Sequence, residues 1–474
     1  MGTATADVEA VELMALALEA AGADAGSAGI LSRVDHVAVP QGSWHYPDPA
    51  RLVADRVGAG GARTHLFELG IPQQALINDA LAAVVSGRSV VAAVVGGEAK
   101  RWVRDLERSG REAVESSQPA TQPDVVHRRQ GPLMEPVEVA HRLWEPVQQY
   151  AMIENALRAF EGRTIAQHRS EVATLWARFN QVARTNPEAA FPEPMEAGAI
   201  ESASPSNRPL AFPYNKWHST QWTVNQAAAL LFCSIETADH LGVPIDRRVV
   251  PLVGLESSHA VSLLRRSAPH AWPAMEVLGT AASERIGRPV AEVETVELYS
   301  CFPAAVRVQQ RSLGLRPDSI PTVTGGMAFA GGPFNNFVLQ SMRPVIDAVR
   351  AEPGSLGMVT TVSGLLTKPG IGVWSGTPDG RPLLLGDLAV EAQSATEVLD
   401  VVETLDGYAG EATVVTYTVT FDGMDPIRIV ALCDTTDGRR CVALTEDAEL
   451  AAEAVGSDLI GRRVRLAGGS LALL

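Results

Sequence analysis

Cysteine, positive charge and long apolar runs are scarce in this chain of 474 residues. Its 55 Asp and Glu residues outnumber 39 Lys and Arg, and the net charge of −16 opposes attraction to nucleic-acid backbones and anionic membranes. The chain has no uncharged apolar run of about 18 residues, the length that a membrane-spanning helix needs. We therefore expect neither a nucleic acid nor a membrane as a partner.

The few cysteines exclude two further classes of protein. They are too few and too widely spaced for a disulfide framework, and they contain no Cys-x-x-Cys pair that would indicate a zinc site. The beginning of the chain is acidic and amphipathic, whereas a signal peptide has a basic start and a continuous apolar core. These features favour the reducing cytoplasm and predict no metal site. The four cysteines are Cys233, Cys301, Cys433 and Cys441.

Short β-branched runs alternate along the chain with Ala- and Leu-rich segments of helical period. The clearest helical segments are Gln74 to Val85, Val224 to His240 and Trp272 to Ile286. The continuous apolar character of the runs is typical of strands that are covered on both faces. We therefore predict an α/β fold with largely parallel strands, and we place Val90 to Val95 and Val293 to Leu298 on central strands.

Two parts of the chain depart from this alternation. Residues 103–194 have no strand run, and Trp, Gln, Arg and Glu recur there at helical spacing, which predicts a helical insertion. After about Gly386, Val and Tyr alternate with Thr from Ala412 to Phe421 and turn signals separate further runs, which predicts a small β-rich domain with its own core. The predicted domains are residues 1–102 with 195–270, residues 103–194, residues 271–385 and residues 386–474.

Two motifs of the second half carry most of the functional information. Glu297-Leu-Tyr-Ser-Cys-Phe-Pro303 follows a strand run, and the segment from Thr322 to Asn336 has four glycines in eight positions before Pro333. Such a loop lets the backbone approach a ligand closely, and the helix that follows offers free N–H groups at its start. A glycine-rich turn that only lets a strand and a helix pack is the alternative.

These motifs resemble the second half of the thiolase superfamily. Tyr299-Ser-Cys-Phe302 is similar to its Asn-Glu-Ala-Phe or His-Asp-Cys-Phe loop, and Thr322 to Pro333 is similar to its Asn-x-x-Gly-Gly and Gly-His-Pro segments. With the extra C-terminal module, the pattern resembles the thiolase-like proteins of type 1, which are often described as related to acetyl-CoA acetyltransferases. The resemblance implies a fold of two repeated βαβαβ-type halves and a coenzyme A thioester as ligand.

The residues that perform thiolase chemistry are replaced at the matching positions. The family spacing places Gly70 where thiolases have the nucleophilic Cys and Gly332 where they have the His that activates it. The third catalytic Cys corresponds to Val362 or Ser363. The chain also begins almost directly in the helix that follows the first strand of the family, so we interpret that strand as absent or truncated.

Three side chains remain as candidate catalytic residues. Cys301 lies inside a matching motif, Tyr299 takes the place of a residue that binds the catalytic water, and Lys368 offers a cation for a phosphate or for pocket chemistry. A buried thiol, a packed ring and an ordinary surface lysine are the structural alternatives. The candidate residues of a thioester-binding loop are Gly325, Gly326, Gly331, Gly332 and Asn335.

We therefore expect a thiolase-like protein that binds an acyl-CoA or a related thioester and has little or no conventional thiolase activity. One alternative is an active acyltransferase or C–C lyase that uses other residues, and another is a non-catalytic scaffold whose C-terminal domain contacts a protein partner. No cofactor is expected beyond the thioester ligand itself. Whether the protein is an enzyme stays open, and a monomer is favoured over a homodimer.

Overall fold

A computed structural model describes residues 8–119, 121–132, 134–397, 402–467 and 470–474. Its strands form three sheets, and helices cover two of them, so the predicted α/β class is confirmed. The helices are α1 (Ala10–Asp24), α2 (Pro49–Arg56), α3 (Gln73–Val85), α4 (Lys100–Arg108), α5 (Pro136–Ala140), α6 (Pro146–Phe160), α7 (Ile165–Ala183), α8 (Ala197–Glu201), α9 (Ile235–His240), α10 (Pro273–Ile286), α11 (Pro303–Ser312), α12 (Gly326–Phe329), α13 (Phe337–Ala351), α14 (Ala389–Glu397) and α15 (Ala448–Gly456).

The strands follow the same alternating order along the chain. They are β1 (Val34–Pro40), β2 (Arg63–Phe67), β3 (Val91–Ala99), β4 (Val125–His127), β5 (Pro209–Ala211), β6 (Tyr214–Asn215), β7 (Asn225–Cys233), β8 (Val250–Glu256), β9 (Thr295–Glu297), β10 (Leu356–Ser363), β11 (Lys368–Ser375), β12 (Leu384–Asp387), β13 (Thr404–Leu405), β14 (Gly410–Asp422), β15 (Asp425–Thr435), β16 (Arg440–Thr445), β17 (Arg463–Ala467) and β18 (Ser470–Leu473).

The first sheet has the strand order β4-β2-β1-β3-β7. β3 is buried along its whole length between β1 and β7, so the central strand predicted over Val90 to Val95 is confirmed. The helix predicted over Val224 to His240 is wrong for most of its length, because Asn225–Cys233 forms β7, which pairs antiparallel with β3. A short Ala- and Leu-rich run fits either period, and the partner strand decides between them.

The second sheet has the order β12-β8-β11-β10-β9, and its end strand corrects another expectation. The central strand predicted over Val293 to Leu298 is wrong, because β9 has three residues and pairs only with β10 among the described residues. On the far side of β9 the Leu298 N–H donates to the Pro321 carbonyl, so a loop covers this edge. The apolar run is buried by that loop and not by a neighbouring strand.

The two sheets repeat one plan and differ at one edge. In the second sheet the antiparallel strand β11 lies between β10 and β8. In the first sheet β7 corresponds to β11, since it pairs antiparallel with β3. On the side of β7 that faces away from β3, no strand of the described residues pairs with it. A cleft of about 1370 Å³ follows this open edge and is lined by β7, α1 and α13. Helix α3 lies between the sheets and contacts strands of both.

The third sheet contains the β-rich C-terminal part, as predicted, and extends beyond it. Its order is β13-β16-β18-β17-β14-β5-β6, with β15 paired to β14 and β16. The C-terminal strands have their own apolar core, but Val430, Leu432 and Val442 belong to the large core that the preceding part of the chain forms. The predicted boundary at Gly386 falls within β12, which pairs with β8.

The insertion contains α4 to α7 and the short strand β4. Glu154 on α6 is fully buried, its carboxylate is 2.7 Å from His168 Nε2 on α7, and it is 3.2 Å from the Arg307 guanidinium on α11. The insertion is thereby joined to the second half by buried charges. In the described part of the chain, none of the helices is both long enough and apolar enough to cross a membrane.

Candidate functional site

The turn from β2 into α3 forms the centre of the candidate site. Gly70 adopts φ of 98°, a left-handed conformation that favours glycine, and Pro72 precedes the first residue of α3. No side chain caps this helix start. The Gln73 side-chain oxygen accepts a hydrogen bond from the Val338 N–H at 2.9 Å, which fixes α3 against the start of α13. The start of α3 is thus held at the interface of the two halves.

Lys368 lies beside this turn although almost 300 residues separate it from Gly70. It begins β11, only 5% of its surface is exposed, and its Nζ donates to the Gly70 carbonyl at 3.2 Å. Burial lowers the pKa of Lys368, and the nearby Arg129 acts in the same direction. The predicted lysine is therefore a buried amine beside Gly70, and the surface-lysine alternative is wrong.

Tyr299 and Cys301 lie on the loop that follows β9. The Tyr299 N–H donates to Thr360 Oγ1 at 2.9 Å, and its ring meets the edge of Phe337. Burial raises the pKa of Tyr299, so its hydroxyl stays protonated. Burial likewise raises the pKa of Cys301 to about 12, although a hydrogen bond with Tyr150 opposes this shift. Cys301 is therefore a neutral thiol and a poor nucleophile at neutral pH.

Glu297 organises the glycine loop, a role that the sequence analysis did not assign. Its buried carboxylate accepts four hydrogen bonds of 2.7–2.9 Å. Two come from the hydroxyls of Thr322 and Thr324, and two come from the N–H groups of Val323 and Thr324. Burial raises the pKa of Glu297 to about 7, although these hydrogen bonds favour the charged form. The signal in the sequence is an acidic residue at the end of an apolar run.

The loop glycines are sites of close packing. A Cβ on Gly325 would collide with Ala183 of α7, and a Cβ on Gly332 would collide with the Thr220 methyl. Gly326 and Gly331 are packed in the same way against Phe179 and Gln226. Asn335 has φ of 53°, and its amide donates to the Gln41 carbonyl at 3.0 Å. The loop is therefore tightly fixed to its neighbours, which agrees with the packing alternative and leaves its thioester-binding role a prediction.

The loop also forms part of the wall of the large cleft. Thr324, Gly331 and Phe337 line this wall, and Phe337 contacts the Tyr299 ring from its other side. Tyr299, Cys301 and Lys368 are not among the described residues that line the cleft. The structure thus brings Lys368, Gly70 and the start of α3 together and places the cleft behind the glycine loop. Metal-ligating side chains converge elsewhere, at His36, His65 and Asp79.

Comparisons with known proteins agree with this architecture. Residues 391–468 match the thiolase-like protein type 1 additional C-terminal domain. The crystal structure of a monomeric SCP2-thiolase like protein type 1 from Mycobacterium smegmatis is 26% identical, covers 98% of this chain and 96% of that chain, and has a TM-score of 0.83. An Ltp2-ChsH2(DUF35) aldolase is 18% identical over 79% of this chain and 95% of that chain, with a TM-score of 0.57. A search of curated protein sequences finds no match.

Proposed function

We propose that this chain, whose thiolase-like fold and C-terminal domain are similar to those of the thiolase-like proteins of type 1, binds an acyl-CoA or a related thioester and has little or no conventional thiolase activity. The observation that carries the proposal is the contact between Lys368 Nζ and the Gly70 carbonyl. This contact gives a buried hydrogen-bond donor, and no thiol, beside Gly70, the residue that the resemblance matches to the thiolase nucleophile. A site of this kind favours binding over acyl transfer.

The absence of a covalent step follows from the side chains around the start of α3. Gly70 and Gly332 have no side chain that could attack a thioester or move a proton. Cys301 is buried and stays a neutral thiol. Its carbonyl also accepts hydrogen bonds from Thr220, which fixes the loop that carries it. An acyl-cysteine is therefore not expected to form on this loop.

Thioester binding is supported by the hydrogen-bond donors near Gly70 and the start of α3. The uncapped start of α3 offers backbone N–H groups with the positive end of a helix dipole, and Lys368 adds a buried amine. Donors of this kind stabilise the partial negative charge on a thioester oxygen. They hold the carbonyl without forming a bond to it.

Calorimetric titration with acetyl-CoA and with a longer acyl-CoA tests the binding. Replacing Lys368 by Met keeps the volume and removes the donor, so we expect at least about tenfold weaker binding. The matched control is Lys216→Met, since Lys216 lies over the Trp217 ring on another part of the surface. No binding by the unchanged chain, or equal binding by both variants, contradicts the proposal.

Thiolysis of acetoacetyl-CoA tests the second half of the proposal. We expect turnover far below the value of about 1 s⁻¹ that is ordinary for enzymes. Mass spectrometry after incubation with acetyl-CoA should detect no acylated cysteine peptide. Ordinary turnover together with an acylated Cys301 or Cys233 would show that the nucleophile has been misplaced.

A second candidate function is C–C bond cleavage, and the buried amine of Lys368 favours it. Burial lowers the pKa of Lys368, which brings a neutral amine closer to neutral pH. Such an amine can take the proton of a β-hydroxyl group while the Cα–Cβ bond breaks, which releases a carbonyl compound and a thioester enolate that is then protonated. The similar Ltp2-ChsH2(DUF35) complex is an aldolase. Incubation with a β-hydroxyacyl-CoA and detection of the carbonyl product test this function, and Lys368→Met should abolish it.

A monomeric state is the proposal that the covered edge of β2 supports. β4 of the insertion pairs with the outer edge of β2 and so covers one edge of the first sheet. The similar protein from Mycobacterium smegmatis is described as monomeric. Light scattering coupled to size-exclusion chromatography should give the mass of one chain. The aldolase is a complex with a DUF35 protein, so a partner that contacts the C-terminal domain stays a proposal.

A further inference from the structure

Three histidines and one aspartate converge on a face of the first sheet, away from the candidate thioester site. His36, His65 and His127 lie on the adjacent parallel strands β1, β2 and β4. His65 lies opposite Ala38, which is two residues after His36 on β1. His127 lies opposite Phe67, which is two residues after His65 on β2. Side chains at a spacing of two point to the same face of a sheet. Asp79 approaches that face from α3.

The distances between the donor atoms are uniform and short. Asp79 Oδ2 is 3.4 Å from His36 Nε2 and 3.4 Å from His65 Nδ1. His65 Nδ1 is in turn 3.0 Å from His127 Nε2. A tetrahedral ion with bonds of about 2.0–2.1 Å to each donor separates the donors by about 3.4 Å. The ligand atoms of His36, His65 and Asp79 all lie within 4.8 Å of one another, so they have the spacing of three corners of a tetrahedral coordination shell.

Two donor atoms of this group have no partner in the protein. His36 and His65 are each 5% exposed, and among the described residues neither His36 Nε2 nor Asp79 Oδ2 has a hydrogen-bond partner. Buried polar atoms without a partner are rare because their desolvation is uncompensated. A bound metal ion would satisfy both atoms.

We propose that His36 Nε2, His65 Nδ1 and Asp79 Oδ2 bind one divalent transition-metal ion of the zinc class. Two imidazoles and one carboxylate are a nitrogen and oxygen donor set that suits Zn²⁺ or Co²⁺ and does not suit Mg²⁺ or Ca²⁺. The side chain of Asp79 is 22% exposed and gives the ion a path of entry. Three protein donors leave the fourth position of a tetrahedral ion to a water molecule, as in catalytic zinc sites.

The ion would join strands β1 and β2 to helix α3. His127 on β4 lies beside the group, with its Nε2 3.0 Å from His65 Nδ1. Because α3 begins at Gln73, six residues before Asp79, the same ion fixes the helix whose start forms the candidate thioester site.

The full-length protein tests the proposal after removal of metal with EDTA and addition of Zn²⁺ or Co²⁺. We expect one Zn²⁺ per chain by elemental analysis, a higher Tm with Zn²⁺, and the intense visible absorption of tetrahedral Co²⁺. Asp79→Asn and His65→Gln should each weaken Co²⁺ binding by at least about tenfold, because each removes one of the donors. The matched control is His45→Gln. The side chain of His45 is 90% exposed and pairs with Glu115, which is not a member of the histidine group.

The unchanged chain alone can overturn the proposal, so the test does not depend on the folding of the variants. Zn²⁺ that leaves the Tm unchanged and Co²⁺ without the tetrahedral spectrum would show a hydrogen-bonded histidine cluster that binds no metal. A spectrum that survives in a folded Asp79→Asn variant, or that is lost in His45→Gln, would place the ion elsewhere.

Discussion

Glu297 is a single residue that determines the shape of a whole loop. Its buried carboxylate accepts hydrogen bonds from two hydroxyls and two backbone N–H groups of the segment Thr322 to Thr324. The glycine pairs that follow then have no freedom to move toward a ligand. A carboxylate is needed there because an amide would turn its own N–H groups toward backbone donors.

Replacing Glu297 by Gln is therefore expected to destabilise the protein. The amide keeps the size of the side chain but cannot accept from all of these donors, and a buried donor without a partner costs about 1–3 kcal/mol. Urea unfolding measures the loss. The control is Glu292→Gln at an exposed position, for which we expect a change within about 0.5 kcal/mol. An equally stable Glu297→Gln variant would mean that the carboxylate does not hold the loop.

Glu256 makes stability depend on pH because its carboxyl group is buried beside another carboxylate. Burial raises the pKa of Glu256 to about 8, and Asp387, its register partner on β12, acts in the same direction. Because the folded state holds this proton more tightly than the unfolded chain, the contribution is complete below pH 4.5 and is lost as the pH rises through about 8.

The expected result is a free energy of unfolding that falls between about pH 5 and about pH 9, by on the order of 2 kcal/mol from this group. In Glu256→Gln the fall should be smaller, because the amide has no proton to lose. Urea unfolding at both pH values measures the difference, and Glu284→Gln on the exposed side of α10 is the control. A variant with the full pH dependence of the unchanged chain would contradict this assignment.

At the scale of elements, the helices of the insertion are fixed by buried charges as well as by apolar contacts. Burial alone would raise the pKa of Glu154, but His168 and Arg307 outweigh it and lower the pKa to about 2. Tyr214 also donates to this carboxylate at 2.6 Å. This carboxylate thereby adds buried polar contacts that join α6 to α7 and to Tyr214.

Removing the charge by Glu154→Gln should leave Glu161 as the remaining close carboxylate of Arg307 and take away the acceptor of His168 and Tyr214. Breaking one side of a buried ion pair costs up to about 3–5 kcal/mol, so we expect a clear fall in Tm. Thermal unfolding by circular dichroism measures it, with Glu171→Gln on the exposed face of α7 as the control. A fall no larger than that of the control would show that apolar packing alone holds the insertion.

The open edge of β7 has a consequence for local stability. β11 exchanges hydrogen bonds with strands on both sides, whereas β7 pairs only with β3 among the described residues. In an antiparallel pair about half of the backbone groups of an edge strand point away from the partner. Hydrogen exchange should therefore be faster at alternate amides of β7 than at any amide of β11. Uniform protection along β7 would mean that another segment covers this edge in solution.

At the scale of the whole molecule, the C-terminal domain is joined to the thiolase-like part through its core. Thr416 Oγ1 donates to the Met152 carbonyl, and the Asn155 amide donates to the Tyr417 carbonyl, so α6 and β14 share buried hydrogen bonds. The buried Arg440 donates to the Arg266 carbonyl at 2.6 Å. The predicted C-terminal domain thus has its own core and also shares buried contacts with the rest of the chain.

Ending the chain after Asp387 should therefore expose apolar and polar surface of α6. We expect a lower soluble yield and a lower Tm than for the full chain, because Val430, Leu432 and Val442 leave the large core. Expression and thermal unfolding of both chains measure this. A shortened chain that stays soluble with an unchanged Tm would restore the independent module.

The sequence by itself determined the α/β class, the helical insertion, the β-rich C-terminal part and the resemblance to thiolase-like proteins, because period and motif are local properties. It also selected Lys368 and Gly70, but their contact joins two halves of the chain and is visible only in the structure. Partner strands decided that Asn225–Cys233 is β7 and that β9 lies at a sheet end. The histidine group was out of reach for the same reason, since strand register alone brings His36, His65 and His127 to one face. Contacts between distant segments depend on the tertiary fold, which no local pattern of residues contains.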